Sequence, residues 1–449
     1  MSLRDIDAAD ELAAGVDSLT IMPIGAAVAR GTRFDSWRDQ VVERVLALAM
    51  ARHPRLGAES PAANLPADCA QRILVLLDKP PLVLDTGSGV VKVGFAGDEA
   101  PCALFPTVVG RPRANVPMIG LAAKDYYVGE EAESKRGILR LKYPVEHGCV
   151  VNWDDAEAVW RHAFLHELRD VWPDAQPILL AEAPLTPKAS REKLVDIMFE
   201  VFNVPAVYVA GHAALALFGS GRFTGVVLES GFGVTHVVPV FEGVELASAV
   251  LRFDIAGRDL SDWMMRLLTN VGHNFRSASD REIANEIKER LCYVALDFEA
   301  EMRTEPSVLE KAYELPAGAM ILVRTERFQC PEALFQPHLL GLSMPGVVDL
   351  LFHSIMKCDD GIRDELYGNV VLSGGSTHFP GFAERVAKDL VSLAPQSMSE
   401  KIHVVAPPDK HGAWTGASRI ASLPQFEQSW ITREMYQREG AGVVHRMCP

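Results

Sequence analysis

Two segments of the sequence repeat one pattern, in which an acidic residue and a hydroxyl residue are followed by Gly-X-Gly-Val. They read DTGSGV from Asp85 and ESGFGV from Glu229, and they lie 144 residues apart. Apolar runs on both sides of each segment predict a β-hairpin, so each glycine turn would join two strands. Glycine lets backbone N–H groups approach an anion closely. The repeat therefore predicts two related domains that face each other across a nucleotide.

The residues around these repeats alternate strand-like and helix-like patterns. PILLAEAP at 177–184 is typical of a buried strand, and REKLVDIMFEVF at 191–202 is typical of a helix. A third glycine turn, in VVLSGGSTHFPGF at 370–382, follows a predicted strand. This alternation predicts an α/β fold. Phe232 is the unexpected residue of the second repeat, because a bulky apolar side chain stands between its two glycines.

Charge and cysteine content narrow the class of protein. The 449 residues include 44 basic and 59 acidic side chains, and the net charge of −15 argues against broad binding of nucleic acid through its phosphates. No run of about 18 apolar residues predicts a membrane span. The seven cysteines are scattered without a Cys-X-X-Cys pair, which indicates neither a disulfide framework nor a zinc site. A cytoplasmic or nuclear setting fits this composition.

Residues 1–79 differ from the rest of the chain. FDSWRDQVVERVLALAM at 34–50 and LPADCAQRILVLL at 65–77 carry apolar residues at helical spacing. Two interpretations remain open: a small helical appendage packed on the main body, or an F-box-like docking motif for an unknown partner. The prolines of DKPP at 78–81 predict a linker after this segment.

Ordered motifs then continue from about residue 82 to the last residue. Among them are DTGSGVVKVGFAGDEAP, ESKRGILRLKYPVEHG, IAGRDL, IKERLCYVALDFE, VLSGGSTHFPG and WITREMY. Together they closely resemble the actin family. The resemblance implies a two-domain, actin-like ATPase fold with ribonuclease-H-like halves around a nucleotide cleft. The small domain would comprise 80–219 and 411–449, with a flexible-loop subdomain at 107–143. The large domain would comprise 220–410, with an upper subdomain at 256–342.

The resemblance also implies the ligands and most of the site. ATP or ADP would bind with Mg²⁺ or Ca²⁺, and Asp85 and Glu229 would lie near the cation, through water. Lys92 would neutralise the β- and γ-phosphates. The other positions that would contact the nucleotide are Ser88, Gly89, Val90, Gly231, Gly233, Val234, Gly257, Arg258, Asp259, Lys288, Glu289, Gly374, Gly375, Ser376, Phe379 and Lys410.

The sequence departs from the family where ATP would be hydrolysed. His212 stands where the family has a glutamine that orients the attacking water, whereas His236 matches the residue that helps to relay the proton. His212 would position the water, act as a general base, fill the space and slow hydrolysis, or have no role beyond starting a helix. Glu229 extends the family's aspartate by one CH₂, and Phe232 replaces a second aspartate. We expect nucleotide binding to be altered rather than abolished, with slow hydrolysis.

Partner surfaces are partly retained. The resemblance implies filament assembly, and it aligns 114–123 with the flexible loop that inserts into the next subunit. The groove that receives helices of actin-binding proteins keeps Phe218 and Leu423, but Arg419 replaces an apolar residue there. Two functions follow: a polymerising cytoskeletal ATPase of the cytoplasm, or a structural subunit that holds ATP inside a larger complex. Retained filament positions favour the first.

Overall fold

The computed structural model describes residues 80–113, 124–169, 171–316, 318–406 and 410–448. The helical or F-box-like segment predicted for residues 1–79 lies outside these ranges, and so does the loop at 114–123. Residues 80–449 form a single unit by their contacts. In the described part of the chain, no helix is long and apolar enough to cross a membrane.

The strands of the described ranges are short and fall into two large sheets and three small ones. In chain order they are β1 (Leu82–Thr86), β2 (Val90–Phe95), β3 (Ala103–Pro106), β4 (Val109–Pro112), β5 (Tyr127–Val128), β6 (Leu139–Lys142), β7 (Val145–Glu146), β8 (Cys149–Val150), β9 (Ile178–Glu182), β10 (Ala206–Gly211), β11 (Gly225–Ser230), β12 (Thr235–Phe241), β13 (Val244–Glu245), β14 (Leu251–Phe253), β15 (Lys311–Glu314), β16 (Met320–Val323), β17 (Val370–Ser373), β18 (Val404–Val405) and β19 (Ile431–Thr432).

The α-helices of the same ranges mostly follow strands and cover the sheets. They are α1 (Gly129–Ser134), α2 (Trp153–His162), α3 (Lys188–Asp196), α4 (His212–Gly219), α5 (Gly257–Asn270), α6 (Ala278–Leu291), α7 (Phe298–Met302), α8 (Pro306–Leu309), α9 (Glu326–Phe335), α10 (Val347–Met356), α11 (Asp360–Gly368), α12 (Phe382–Leu393), α13 (Gly412–Ala421), α14 (Arg433–Glu439) and α15 (Val444–Met447).

The first large sheet has the strand order β19-β10-β9-β1-β2-β3. Strands β1, β9 and β10 run parallel, whereas β1, β2 and β3 form an antiparallel meander. All six strands come from the ranges predicted for the small domain. Because β1, β9 and β10 are parallel, their carboxyl ends lie at one edge, which is where open α/β sheets place their ligands.

The second large sheet repeats this plan with the order β13-β12-β11-β17-β18, and β14 also pairs with β12. Strand β11 is antiparallel to β12 and parallel to β17, as β1 is to β2 and β9. The two hairpins have the same register, since Asp85 is opposite Lys92 in the first and Glu229 is opposite His236 in the second. The predicted α/β fold with two related hairpins is confirmed.

A buried apolar cluster joins the two sheets. It combines Val83 and Leu179 of the first sheet with Val227 and Val371 of the second, all less than 2 % exposed, and Trp414 of α13 lies among them. These strand segments are rich in branched aliphatic side chains because both faces of a central parallel strand are covered. The junction therefore keeps the carboxyl-terminal edges of the two sheets, and the polar residues on those edges, close together.

Helices α4 and α13 cross at this junction with almost no space between their backbones. A Cβ atom added at Gly416 of α13 would overlap the carbonyl oxygen of Leu215 in α4, and one added at Gly219 would lie 2.7 Å from the carbonyl oxygen of Gly412. Glycine is therefore required where the helices meet, since backbone atoms cannot yield as a flexible side chain can.

We predict that Gly416→Ala lowers the free energy of unfolding by about 2 kcal/mol or more, because the added methyl group overpacks this crossing. Gly442→Ala is the matched control, since a Cβ there meets nothing within 4 Å, and we expect it to change stability by no more than about 0.5 kcal/mol. Urea denaturation of the two full-length variants measures both. Equal stability of the two variants would contradict the helix contact.

Candidate functional site

A cleft of about 510 Å³ opens between the carboxyl-terminal edges of the two large sheets. This volume lies within the range of about 300–1,000 Å³ that is common for small-molecule sites. Every predicted site residue except Arg258 and Asp259 lines it. Residues separated by more than 300 positions in the sequence, such as Asp85 and Lys410, thus share one cavity.

The first glycine turn connects β1 to β2 and is held from behind. The Thr107 amide donates to the Gly89 carbonyl (3.0 Å), and the Thr107 hydroxyl donates to the Gly87 carbonyl (2.7 Å). Trp160 of α2 donates its indole N–H to the Thr86 hydroxyl at 3.0 Å. Because these contacts use the carbonyls and the flanking hydroxyl, the turn is rigid before any ligand arrives.

The second glycine turn connects β11 to β12 and is held by the start of α5. The amides of Gly257 and Arg258 donate to the carbonyls of Gly231 (3.0 Å) and Phe232 (2.8 Å). The Ser376 hydroxyl donates to the same Gly231 carbonyl at 2.9 Å. Helix α5 therefore aims its partial positive end at the cleft while two of its free N–H groups fix this turn.

The two turns touch each other across the cleft. A Cβ atom added at Gly89 would lie 2.7 Å from the ring of Phe232, and one added at Gly233 would lie 2.6 Å from the Ser88 hydroxyl. The Ser88 hydroxyl also accepts the Gly148 amide at 3.0 Å. Phe232 thus lies with its ring against the first turn, where its apolar face closes one side of the space between the two turns.

His212 lies between one carboxylate from each sheet. It is the first residue of α4, directly after β10, and its Nε2 atom is 3.0 Å from Oδ1 of Asp85. Its Nδ1 atom is 3.4 Å from Oε1 of Glu229. The other oxygen of Asp85 is 2.5 Å from the ammonium of Lys92. Two carboxylates, one imidazole and one ammonium thus form a buried cluster that spans the cleft.

The charges of this cluster support one another. Burial alone would lower the pKa of His212, but the carboxylates of Glu229 and Asp85 overcome it and raise that pKa to about 10. Burial opposes ionisation of Asp85, yet Lys92 and His212 hold its pKa below the usual value; His212 likewise lowers the pKa of Glu229. Both ring nitrogens of His212 therefore carry hydrogen at neutral pH, and the ring is a cation with no free lone pair.

His236, the second predicted catalytic residue, has the opposite character. It lies on β12 opposite Glu229, and burial lowers its pKa to about 4. Its ring is therefore neutral at physiological pH. Its Nε2 atom is buried and has no hydrogen-bond partner among the described side chains and backbone.

A second acidic layer lies behind His212. A Cβ atom added at Gly211 would overlap the carboxyl group of Glu245 on β13, so this glycine admits that carboxyl group rather than giving the ring more room. Glu182 forms an ion pair with Arg191 at 2.7 Å, and burial raises the pKa of Glu182 to about 7. The carboxyl groups of Glu182 and Glu245 thus lie beside the imidazole, and burial raises the pKa of both.

The side of the cleft where the resemblance would place adenosine combines three kinds of contact. Lys288 is buried, and its ammonium donates to the Gly257 carbonyl (2.8 Å) and to two side chains of α5 and α6, so it supports the start of α5. Lys410 lies 3.7 Å from Glu289 at the cleft rim. Phe379 lines the cleft while packing into the core of the second sheet.

The two predicted contacts that do not line the cleft have other partners. The Asp259 carboxylate accepts the Ala256 amide at 3.0 Å at the start of α5. The Arg258 guanidinium lies 5.3 Å from the centre of the Tyr143 ring. Both residues therefore stabilise the helix whose amides hold the second turn.

A family model independently covers this architecture. The actin family model matches residues 77–449. The chain belongs to the actin family. As in the predicted alignment, the match includes both glycine turns and the third turn at Gly374, and it leaves most of residues 1–79 outside.

This actin-family cleft fits a nucleotide. Glycines stand where a side chain would fill the cradle, at Gly89, Gly233 and Gly374, and the last has φ +85° with the Ser230 carbonyl against it. The start of α5 adds partial positive charge. Ser88, Gly89, Gly231 and Gly233 would hold the phosphates through their backbone, which is a common way for proteins to bind phosphate.

The same residues do not fit the divalent cation that the actin family would hold beside the phosphates. A cation there needs free carboxylate oxygens or ordered water near them. Asp85 has both oxygens engaged by Lys92 and His212, and Oε1 of Glu229 faces the same imidazole. Of these carboxylate oxygens, only Oε2 of Glu229 is left without a hydrogen-bond partner among the described residues, and one oxygen does not make a cation site. In the described ranges, no group of three or more acidic, histidine or cysteine side chains is arranged to hold a metal ion.

Several further cleft residues were not among the predicted contacts. Thr86, Gly87 and Phe232 lie inside the two repeats, and Gly148, Ser373, His378 and Pro380 lie inside the motifs that resemble the actin family. The others come from segments of the chain that only the fold brings together. The additional lining residues are Thr86, Gly87, Leu104, Phe105, Pro106, Gly148, Ala183, Phe232, Ser373, His378, Pro380, His411 and Ala413.

The raised pKa of His212 predicts a pH-dependent stability. Because the folded-state value of about 10 exceeds the unfolded value of about 6.5, the stabilisation is complete below pH 6.5 and is lost as the pH rises towards 10. Between pH 7 and 10, the free energy of unfolding should fall faster in the wild type than in His212→Gln, by up to about 1.4 kcal/mol per pH unit.

The measurement is urea denaturation of both proteins across that pH range. His403→Gln, which changes an exposed histidine, is the control and should follow the wild type. Parallel curves for the wild type and His212→Gln would show that His212 is not held as a cation.

Proposed function

We propose that this chain is an actin-like cytoskeletal protein that binds ATP or ADP in the cleft, assembles into filaments and hydrolyses ATP slowly. The observation that carries the slow hydrolysis is the position of His212 between Asp85 and Glu229. A general base needs a free lone pair, and a water-orienting group needs an acceptor. The imidazolium, with one nitrogen 3.0 Å from Asp85 and the other 3.4 Å from Glu229, has neither. Of the interpretations of His212, the one that slows hydrolysis is therefore best supported.

His236 does not provide an effective base in place of His212. Its neutral ring is a base in principle, but a pKa of about 4 makes it a weak one, and the ring is buried on the first strand after the second turn. Phe232 removes a carboxylate from the same turn. ATP would therefore be held by two rigid glycine turns with no group poised to activate the attacking water.

Filament assembly is supported by exposed apolar residues on the surface of the predicted large domain. The loop 335–346 follows α9, and the resemblance aligns it with the hydrophobic plug of actin filaments. Leu342 and Met344 are 41 % and 37 % exposed there, and such apolar groups on a protruding loop favour burial in an interface. Cytoskeletal structures of the cytoplasm, or the nucleus, are the locations that this function implies.

The groove for actin-binding proteins is altered in a defined way. Phe218 stacks edge-on with Phe223 at 5.3 Å, and Leu423 is exposed at the same surface. Arg419 donates to the Gly219 carbonyl at 2.7 Å, at the carboxyl end of α4. The guanidinium therefore occupies space beside the apolar groove, which would weaken partners that insert an apolar helix.

We expect the purified full-length protein to release phosphate from ATP at least about tenfold more slowly than a conventional actin under polymerising conditions, since a general base contributes roughly 10²–10⁴ in rate. His212→Gln and the double variant with Phe232→Asp should recover part of the rate, and His403→Gln should not. Phosphate release measured with a coupled assay decides this. Wild-type release as fast as that of a conventional actin would refute slow hydrolysis.

Assembly is tested separately by sedimentation. We expect the full-length protein to pellet when ATP is added at physiological salt and to remain in the supernatant without nucleotide. Replacing both Leu342 and Met344 by serine should raise the concentration needed for pelleting several-fold, because it removes the exposed apolar groups. A protein that binds ATP but never pellets would instead be the structural subunit of a complex.

A further inference from the structure

The cluster around His212 has a consequence for how the phosphates are held. We propose that the His212 side chain takes the place of a divalent cation, so that this chain excludes the metal from Asp85 and Glu229 and binds nucleotide without it. The part about nucleotide rests on the proposed function. The exclusion of the metal concerns this chain's own residues alone.

The geometry of the ring supports this role. Nε2 points at Asp85 (3.0 Å) and Nδ1 points at Glu229 (3.4 Å), one carboxylate from each large sheet. The resemblance places the cation near these carboxylates through water, so the cation and its water would need the space between them. The ring fills the space between the same oxygens, so neither fits there unless the ring moves away.

Lys92 closes the other side of the same carboxylate. Its ammonium is 2.5 Å from the second oxygen of Asp85, while the first oxygen faces His212 at 3.0 Å. Both oxygens of Asp85 are therefore engaged by side chains of this chain, and neither is free to hold a metal.

The ring is also prevented from moving away. The carboxyl group of Glu245 fills the space beside Gly211, so the backbone before His212 cannot shift in that direction. The His212 side chain is only 12 % exposed, and the carboxyl groups of Glu182 and Glu245 lie behind it. If the ring left the cluster, the buried Asp85 and Glu229 carboxylates would lose a partner that they share, which is unfavourable in a buried site.

Phe232 provides an independent observation. It stands in the second turn where the resemblance places another carboxylate, and its ring lies against Gly89 of the first turn. The chain therefore has one acidic group fewer beside the phosphates and an apolar surface in its place. A site that relied on a hydrated divalent cation would gain nothing from an apolar wall there, since hydrated ions need polar neighbours.

The first test uses Mn²⁺ alone as the probe, with full-length protein freed of nucleotide. Electron paramagnetic resonance of free Mn²⁺ measures how much is bound. We expect the wild type and the control His403→Gln to bind no Mn²⁺ at micromolar concentrations, and His212→Gln and His212→Ala to gain one site each. Binding of Mn²⁺ to the wild-type cluster, or its absence from both folded variants, overturns the exclusion of the metal; circular dichroism establishes that the variants are folded.

The second test measures the dissociation constant of a fluorescent ATP analogue in Mg²⁺ and in EDTA. We expect the wild-type value to change by less than about threefold, and the His212→Gln value to weaken at least about tenfold in EDTA. A wild-type protein that loses tenfold or more in EDTA overturns the proposal without any variant.

The Mn²⁺ measurement and the ATP-analogue measurement distinguish a failure of this inference from a failure of the proposed function. If the wild type bound the analogue in neither condition, ATP binding would be refuted. The Mn²⁺ measurement would then still decide whether His212 keeps the metal out.

Discussion

The contact of His212 with Asp85 and Glu229 is the interaction on which the rest of this site depends. The two carboxylates belong to different sheets, and each ends a strand whose following glycine turn faces the cleft. Two carboxylates this close would repel each other in a buried site. The imidazolium between them turns that repulsion into attraction and thereby holds the two edges of the cleft together. The apolar junction beneath, around Val83 and Trp414, keeps the edges near each other but does not by itself align the two turns.

This arrangement uses histidine for its charge and not for its ability to exchange a proton. The same ring in a neutral, half-exposed position would be a water-activating base of ordinary strength. Here Glu229 and Asp85 hold it as a cation. His236, which lies opposite Glu229 in the second hairpin, is kept neutral by burial. Two histidines of one cleft thus take opposite charge states because one has two carboxylate neighbours and the other is mainly desolvated.

The actin family membership and the two-hairpin plan were predictable because they depend on long ordered motifs and on a local pattern. An acid, a small hydroxyl residue and two spaced glycines determine a tight turn wherever they occur. The predicted lining of the cleft also agrees with the structure for nearly all its members, from Ser88 to Ser376. The contacts that these residues make depend on the fold and could not be read from the local sequence. Lys92 lines the cleft with its ammonium against Asp85, and Lys288 supports the start of α5.

Other parts of the site were not predictable for a physical reason. Glu245 and Glu182 lie on short strands of different sheets and belong to no motif, so nothing in the local sequence connects them with His212. Gly211 illustrates the same limit: a glycine before His212 leaves space beside the backbone, and only the structure shows that the Glu245 carboxyl group fills that space.

The sequence by itself determined the family, the two glycine turns and many of the residues that face the cleft, because these follow from short-range patterns and ordered motifs. Only the tertiary structure decided what His212 does. The charge of an imidazole depends on which carboxylates lie within a few ångströms of it, and Asp85 and Glu229 reach it from 127 residues before it and from the far side of the cleft. Electrostatic interactions in a buried site act through space, so the fold must be known before the chemistry can be assigned.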